Sequence, residues 1–383
     1  MKVVYILAVN WGGIVHYTAE LANAISRYVE VVVLKPKDSN DKLLGEDVKT
    51  INVFKPLIFS NNYMDVFSVN NFRGFISYDH IKLVDRIKPD IIHLPEIYPY
   101  MALFVKLCKV DKKYPIIWTA HEVFDSLFFL PGEKRITRNF IHFIVELSKR
   151  LIRVDRIIVH SQQHRDKLIK RGINPIRITV IPHGAYTIFK KYDEYTEIKE
   201  ENSILLFGHN PLGKGAEYLI KATPLVSKKV PDVKVIIAGE GASKCYKYIT
   251  NNKEFEIYDE FIPNERVSEL FQRAKVVVLP YPLSTGGHSG VLTIAFSFGK
   301  PIIVTNVGDF PNIVKNGREG FVVPPKNPRA LADALIKILE DDKLRKKMER
   351  NALKKAEELS WDNIAKMHIK VYEEVLNERR SRS

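Results

Sequence analysis

Two glycine-rich turns in this chain are built to hold a phosphate. The first is FGHNPLGKG, Phe207 to Gly215. Gly208, Gly213 and Gly215 let the backbone turn tightly there, and Lys214 stands just before a helix expected to begin near Ala216. The second lies in LPYPLSTGGHSGVLTIAFSFGKPIIVT, Leu279 to Thr305, where Gly286, Gly287, Ser289 and Gly290 separate an apolar strand from a mostly apolar helix, Val291 to Phe298. Such turns present unbonded backbone N–H groups at the positive end of a helix dipole. That arrangement suits a phosphate or diphosphate, and a lysine adds a point charge. One glycine turn alone is weak evidence, and Lys214 taken alone reads more readily as a solvated surface lysine. The two turns at the mouth of one expected sheet point to a nucleotide or a phosphorylated ligand.

The elements that must position these turns alternate along the chain. Short Val/Ile-rich runs (Val3–Val9, Val31–Leu34, Ile91–Leu94, Ile116–Thr119, Arg156–His160 and Ile178–Ile181) are followed by Ile204–Gly208, Val233–Gly239, Phe255–Phe261, Val276–Pro280 and Ile302–Val304. Helical patterns lie between them, among them Val15–Tyr28, Gln163–Arg171, Ala216–Val230 and Asn264–Arg273. Continuous apolar strands with crossover helices mean parallel sheets covered on both faces, an α/β class. The polar, aperiodic run from Ala185 to Asn202 reads as a linker. The expected domains are residues 1–190 and 200–360, each opening on a strand and a glycine turn. A last amphipathic helix, Trp361 to Leu376 within 361–378, puts Ile364, His368, Val371, Tyr372 and Val375 on one face. Two doubly wound, Rossmann-like domains bind ligands at the carboxyl ends of their strands, so the cleft between them is the expected site.

Bulk composition narrows the partners. A length of 383 residues implies two domains. The formal charge of +14 favours anionic partners: nucleotides, phospholipid surfaces or nucleic acid. Cys108 and Cys245 are the only cysteines, which argues against a disulfide framework and fits a reducing compartment, the cytoplasm. MKVVYILAVNWGG reads as a strand running into a glycine turn rather than as a signal peptide. Glutamine occurs only at Gln162, Gln163 and Gln272 while Lys, Ile and Glu abound, a composition typical of thermophiles.

The ordered set of motifs resembles a known family. FGHNPLGKG, VIIAGEG (Val235–Gly241), the Leu279–Thr305 stretch and NVGDFPNIVKNGREGFVVPP (Asn306–Pro325) follow the order and spacing of the family-4-type retaining glycosyltransferases of the GT-B fold. Gly12-Gly13, TAHE (Thr119–Glu122), IIVHSQQ (Ile157–Gln163) and VIPHG (Val180–Gly184) match in the first half, and the terminal SWDNIAKMHIKVYEEVL is similar to the family's last helix, which crosses back onto the N-terminal domain. The resemblance implies a nucleotide-diphosphate sugar, UDP- or GDP-linked, held by the C-terminal domain, and no separate cofactor. It assigns Lys214 to the diphosphate, with His209 where relatives usually carry arginine. It places Gly208, Gly239 and Glu240 at the strand-end turns, Phe261 and Ile262 beside the base, and His288, Ser289, Gly290 and Val291 at the phosphates or sugar. On the N-terminal side Gly12 and Gly13 approach the diphosphate or acceptor. His121 faces the donor sugar from a strand end, where a satisfied structural histidine is the plain alternative. His16 and Glu96 are acceptor-side candidates. Glu122 either orients His121 or caps a helix, and His183 is structural.

One departure from the family is specific. Two glutamates eight positions apart usually contact the donor sugar and the ribose; aligned on Gly299-Lys300-Pro301, those positions are Gly286 and Ile294. Ser284, Thr285, His288 and Ser289 are the polar groups left for the sugar. The resemblance implies transfer with retention by front-face attack, the departing diphosphate taking the acceptor proton while Lys214, His209 and helix amides stabilise its charge. No Asp-x-Asp motif occurs, and Asp341-Asp342 and Glu373-Glu374 read as solvated helix charges, so no metal is expected. Phe124 to Arg156 mixes Phe128, Phe129, Phe140 and Phe143 with Lys134, Arg135, Arg138, Lys149, Arg150 and Arg153. That stretch suits either an anionic membrane surface and a lipid-linked acceptor, or an ordinary core helix with a solvated basic face. No nucleic-acid motif is present. A sugar-nucleotide epimerase and a non-catalytic sugar-nucleotide-binding protein are the competing readings.

Overall fold

The computed structural model describes residues 1–10, 12–37, 39, 41–55, 78–123, 152–195, 200–250, 253–283 and 289–381. Two compact units emerge: Met1–Pro182 with Trp361–Ser383, and His183–Ser360. The division between the units falls after Pro182. Residues expected as linker begin with a 3-10 helix, Ile188–Tyr195, that belongs to the second unit.

Unit one holds a seven-stranded sheet. Its strands are β1 (Lys2–Ile6), β2 (Glu30–Pro36), β3 (Val48–Phe54), β4 (Ile91–Leu94), β5 (Ile116–Ala120), β6 (Arg156–Val159) and β7 (Ile178–Val180), in the order β3-β2-β1-β4-β5-β6-β7. Every pairing is parallel. Unit two holds β8 (Ser203–Phe207), β9 (Lys234–Ala238), β10 (Phe255–Tyr258), β11 (Val276–Leu279), β12 (Ile302–Thr305) and β13 (Gly320–Val323), ordered β10-β9-β8-β11-β12-β13 and again parallel. Both are doubly wound Rossmann-like sheets. In each the strand order reverses beside the first strand, the topological position where such sheets bind ligands.

The central strands β4, β5, β11 and β12 are buried at every position, as apolar runs sandwiched by helices must be. β3 and β13 carry no such run. Both are edge strands with partly exposed residues, VKTINVF and GFVV, so neither stands out as an apolar run. The terminal helix, Trp361–Arg380, buries Ile364, His368, Val371, Tyr372 and Val375 against unit one. Its C-terminal end is clamped: Arg156 binds Glu374 and Glu378, and Arg379 reaches Asp155 at 2.7 Å. The Asp341 carboxylate caps the helix Asp342–Glu358 by accepting from Leu344 N–H at 2.9 Å. Among the described residues no helix is long and apolar enough to cross a membrane. The basic, aromatic residues from Phe124 to Arg150 lie outside the described residues.

Candidate functional site

Three strand-end loops of unit two press backbone against backbone. Gly208, after β8, has φ +113° and donates its N–H to the Ala238 carbonyl at 2.8 Å. Gly239, after β9, has φ +140°, and a β-carbon there would strike the Gly208 carbonyl. Gly215 has φ +88°, and its β-carbon would strike the Pro280 carbonyl just beyond β11. Only glycine accepts both the left-handed backbone and the contact. We expect Gly215→Ala to destabilise the protein by roughly 2 kcal/mol or more. A urea melt of the purified variant with an unshifted midpoint would contradict that reading of the turn.

The tight turn brings Lys214 back over Gly208. Its amide donates to the Pro211 carbonyl at 3.0 Å, and Gly213 N–H donates to Asn210 Oδ1 at 3.3 Å. Lys214 Nζ ends 2.5 Å from where a β-carbon on Gly208 would sit. The side chain is half-buried, and burial pulls its pKa from 10.5 to about 8. No carboxylate or other acceptor offsets that among the described residues. The helix Gly290–Ser297 starts beside the same spot, with Val291 Cγ2 3.6 Å from the same Gly208 β-position. Its first N–H groups have no intrahelical acceptor. A desolvated ammonium, a left-handed glycine and a helix N-terminus therefore converge at the carboxyl ends of β8 and β11, which is a site for an anion.

The supporting layer under this helix could not be read from motifs. Gly290 lies on the buried Tyr186 ring, to which a β-carbon would approach within 3.2 Å. Ser289 is buried, and its hydroxyl faces the Tyr281 phenol, whose pKa burial pushes up to about 12. His183 packs edge-on to Tyr186 at 5.1 Å and donates Nδ1–H to the Gly184 carbonyl at 2.7 Å; burial lowers its pKa to about 4, consistent with a structural group. Asp259 accepts from Gly241 and Ala242 N–H at 2.5 and 3.1 Å and so fixes the turn after β9. Ile294 is 5 % exposed, so the position of the second family glutamate is apolar and enclosed.

The remaining residues of unit two scatter more. His209 and Glu240 are exposed and face each other across the loops, Nδ1 to Oε2 3.4 Å. Phe261 is 57 % exposed while Ile262 is buried. Ser284, Thr285, Gly286, Gly287 and His288 lie outside the described residues.

Unit one gathers a second set at the carboxyl ends of β1, β4, β5 and β6. Gly12 has φ +86° and ends the turn into the helix Gly13–Ile25, and among the described residues nothing stands within 4 Å of where a β-carbon on Gly12 or Gly13 would lie. His16 is half-buried on the first turn. His121 follows β5 and His160 follows β6; Ala120 pairs with Val159, so the register makes the two histidines neighbours. His121 Nδ1 lies 3.0 Å from His160 Nε2, and Tyr17 sets its ring edge against both, at 4.5 and 5.5 Å. His160 and Tyr17 went unnoticed among the sequence candidates, although two strands each ending in histidine were the available signal. Glu96 accepts from Ile97 N–H at 2.8 Å, and Glu96 and Glu122 both act on the phenol of Tyr98, whose pKa rises chiefly from burial. Among the described residues no three His, Cys, Asp or Glu side chains converge as a metal site.

Comparisons with known proteins agree with this architecture. Residues 11–187 match the family described as Glycosyltransferase Family 4, and residues 189–355 match Glycosyl transferases group 1. An uncharacterized glycosyltransferase of Methanocaldococcus jannaschii, MJ1607, is 29 % identical over 238 residues, 60 % of this chain and 59 % of that protein. The chain thus matches just over half the length of such curated relatives. A second protein of that organism, the uncharacterized glycosyltransferase MJ1178, is 28 % identical over 92 % of this chain and 94 % of its own. The crystal structure of Anabaena HepE in complex with UDP superposes with a TM-score of 0.68 at 16 % identity, over 98 % of this chain and all of that one. These matches favour neither an epimerase nor a non-catalytic binding protein. With both halves matched and the two-sheet architecture shared, the chain belongs to the family-4-type glycosyltransferases of the GT-B fold.

Proposed function

We propose that this protein moves a sugar from a nucleotide-diphosphate sugar, UDP- or GDP-linked, to a glycan or lipid-linked acceptor with retention of anomeric configuration. The observation that carries the donor reading is Lys214, a desolvated cation beside a glycine turn and a helix N-terminus with no carboxylate among the described residues to balance it. The structure of HepE in complex with UDP, on the same fold, supports a nucleotide ligand. Charge builds on the departing diphosphate as the glycosidic bond breaks. Lys214 Nζ and the amides of Gly290 and Val291 meet that charge where it develops, with His209 and Glu240 at the rim. His121 stands at the strand end of unit one as the sugar-facing group, with His16 and Glu96 on the acceptor side. The reading requires no metal, because a lysine and helix amides supply the stabilising charge. The basic balance of the chain suits an anionic membrane surface carrying a lipid-linked acceptor.

Thermal-shift titration with UDP-, GDP- and ADP-sugars tests the donor reading. A donor at a hundred times its Kd stabilises by about 2.7 kcal/mol and raises the melting temperature by several degrees. The absence of a shift with every nucleotide sugar would remove the donor site from unit two.

A further inference from the structure

Two lysines of unit two lose hydration on folding, and only one finds a partner. Lys300 Nζ donates to Glu200 Oε1 and to the Gln272 carbonyl, each at 3.1 Å. Lys214 Nζ has no acceptor among the described residues, and desolvation alone pulls its pKa to about 8. About a quarter of such amines are neutral near pH 7.5, against about one in a thousand ordinary lysines. Only the neutral amine has a lone pair with which to attack an electrophile. The surroundings favour a negative product. The helix Gly290–Ser297 begins without a side-chain cap; Leu292 N–H turns back to the Ser289 carbonyl at 3.1 Å, and the N–H groups of Gly290 and Val291 have no acceptor among the described residues. Lys214 Nζ and Val291 Cγ2 lie 2.5 and 3.6 Å from one point above Gly208, so they are within about 6 Å of each other. A carboxylate built on Nζ extends about 2 Å further and enters the field of that helix N-terminus. Among the described residues no Asp or Glu acts on Lys214 to oppose it.

We propose that Lys214 is a site of reversible modification by carbon dioxide: its neutral amine adds to CO2 and becomes a carbamate that closes the anion site to the donor diphosphate. The Nζ lone pair forms the N–C bond, and one C=O π pair moves onto oxygen. The proton left on nitrogen passes to water, and nothing is oxidised or reduced. CO2 is small and uncharged, so entering a desolvated site costs it little. The step turns a single positive charge into a single negative one where the diphosphate binds, so carbamate and donor exclude each other. The chemistry stands on Lys214 and the uncapped helix; its effect on the donor rests on the proposed nucleotide-sugar site.

The test is carbon-13 NMR of the full chain in labelled bicarbonate and CO2 at about pH 7.5, with triethyloxonium trapping and peptide mapping of the same sample. The wild type shows a carbamate resonance that Lys214→Met lacks, and the trapped adduct maps to Lys214 and not to Lys300. CO2 sufficient to modify about half of the chains roughly doubles the apparent Kd for nucleotide sugar. Saturating nucleotide sugar removes the resonance. An adduct absent from Lys214 overturns the inference and leaves the donor site untouched; peptide mapping decides this on the wild type even if Lys214→Met fails to fold. A carbamate that persists beside bound nucleotide sugar overturns the exclusion. A carbamate on a protein that binds no nucleotide sugar upholds the modification and removes the donor reading instead.

Discussion

Lys214→Met melts higher than the wild type and binds nucleotide sugar roughly ten- to a hundredfold more weakly. The two effects share one cause. Lys214 loses hydration on folding and gains no anionic partner among the described residues, which is why its pKa falls to about 8. Below that pH the fold carries a poorly solvated cation, at a cost on the order of 2 kcal/mol. Methionine is of similar length, flexible and apolar, so it fills the same path over Gly208 without the charge. Removing the cost raises the melting temperature by a few degrees. The same substitution deletes a charge-assisted bond to a diphosphate, worth about 1.5–3 kcal/mol. A stabilised variant with a lost function marks a residue kept for its ligand. Unchanged donor affinity together with an unchanged or lowered melting point would show that Lys214 is an ordinary loop lysine.

Acid unfolds unit one earlier than carboxylate titration alone would. His368 on the terminal helix and His93 on β4, stacked at 5.7 Å, are fully buried, and burial holds His93 well below 6.5 and His368 at about 4. Their folded-state pKa values lie below the unfolded value, so the neutral forms stabilise the fold in full above pH 6.5. As pH falls below 6.5 the unfolded chain takes up protons that the folded chain refuses, and stability declines until His368 protonates in place near pH 4. His368 removes about 1.4 kcal/mol per pH unit across that window, roughly 2.5 kcal/mol between about pH 6.5 and 4.5, and His93 acts in the same direction. Melting curves over that range should fall steeply, and His368→Gln should flatten the slope by the share of one histidine. A flat profile above pH 4.5 would mean that these rings are not held neutral. His183, at about 4, adds a third such group in unit two.

How far the sequence spoke depended on the range of the interaction. Central strands were legible because burial on both faces forces continuous runs such as IIWTA and VVVL. The edge strands β3 and β13 were not, because an edge half in solvent has no reason to be apolar throughout. The face of the terminal helix was legible at Ile364, His368, Val371, Tyr372 and Val375, since its period reports burial directly, while Trp361 and Ala365 are buried as well. Lys214 was legible as a lysine before a helix. Its isolation from carboxylates was not, because that depends on where β9, β11 and the Gly290 helix come to lie. Tyr186, Tyr281 and Asp259 support the anion site across long stretches of chain, and no local pattern marks them. His160 lay between the two cases, for the shared register of β5 and β6 places it beside His121.

The central claim is that unit two holds a nucleotide diphosphate through Lys214 in its charged form. Its most direct test is calorimetric titration of the best-stabilising nucleotide sugar between pH 7 and 9. Burial lowers the Lys214 pKa to about 8, and the proposed diphosphate contact needs the ammonium form. Affinity should therefore hold steady up to about pH 8 and then fall toward tenfold per pH unit, with the break absent in Lys214→Met. An affinity that is level through pH 9 and the same in the variant would contradict the account.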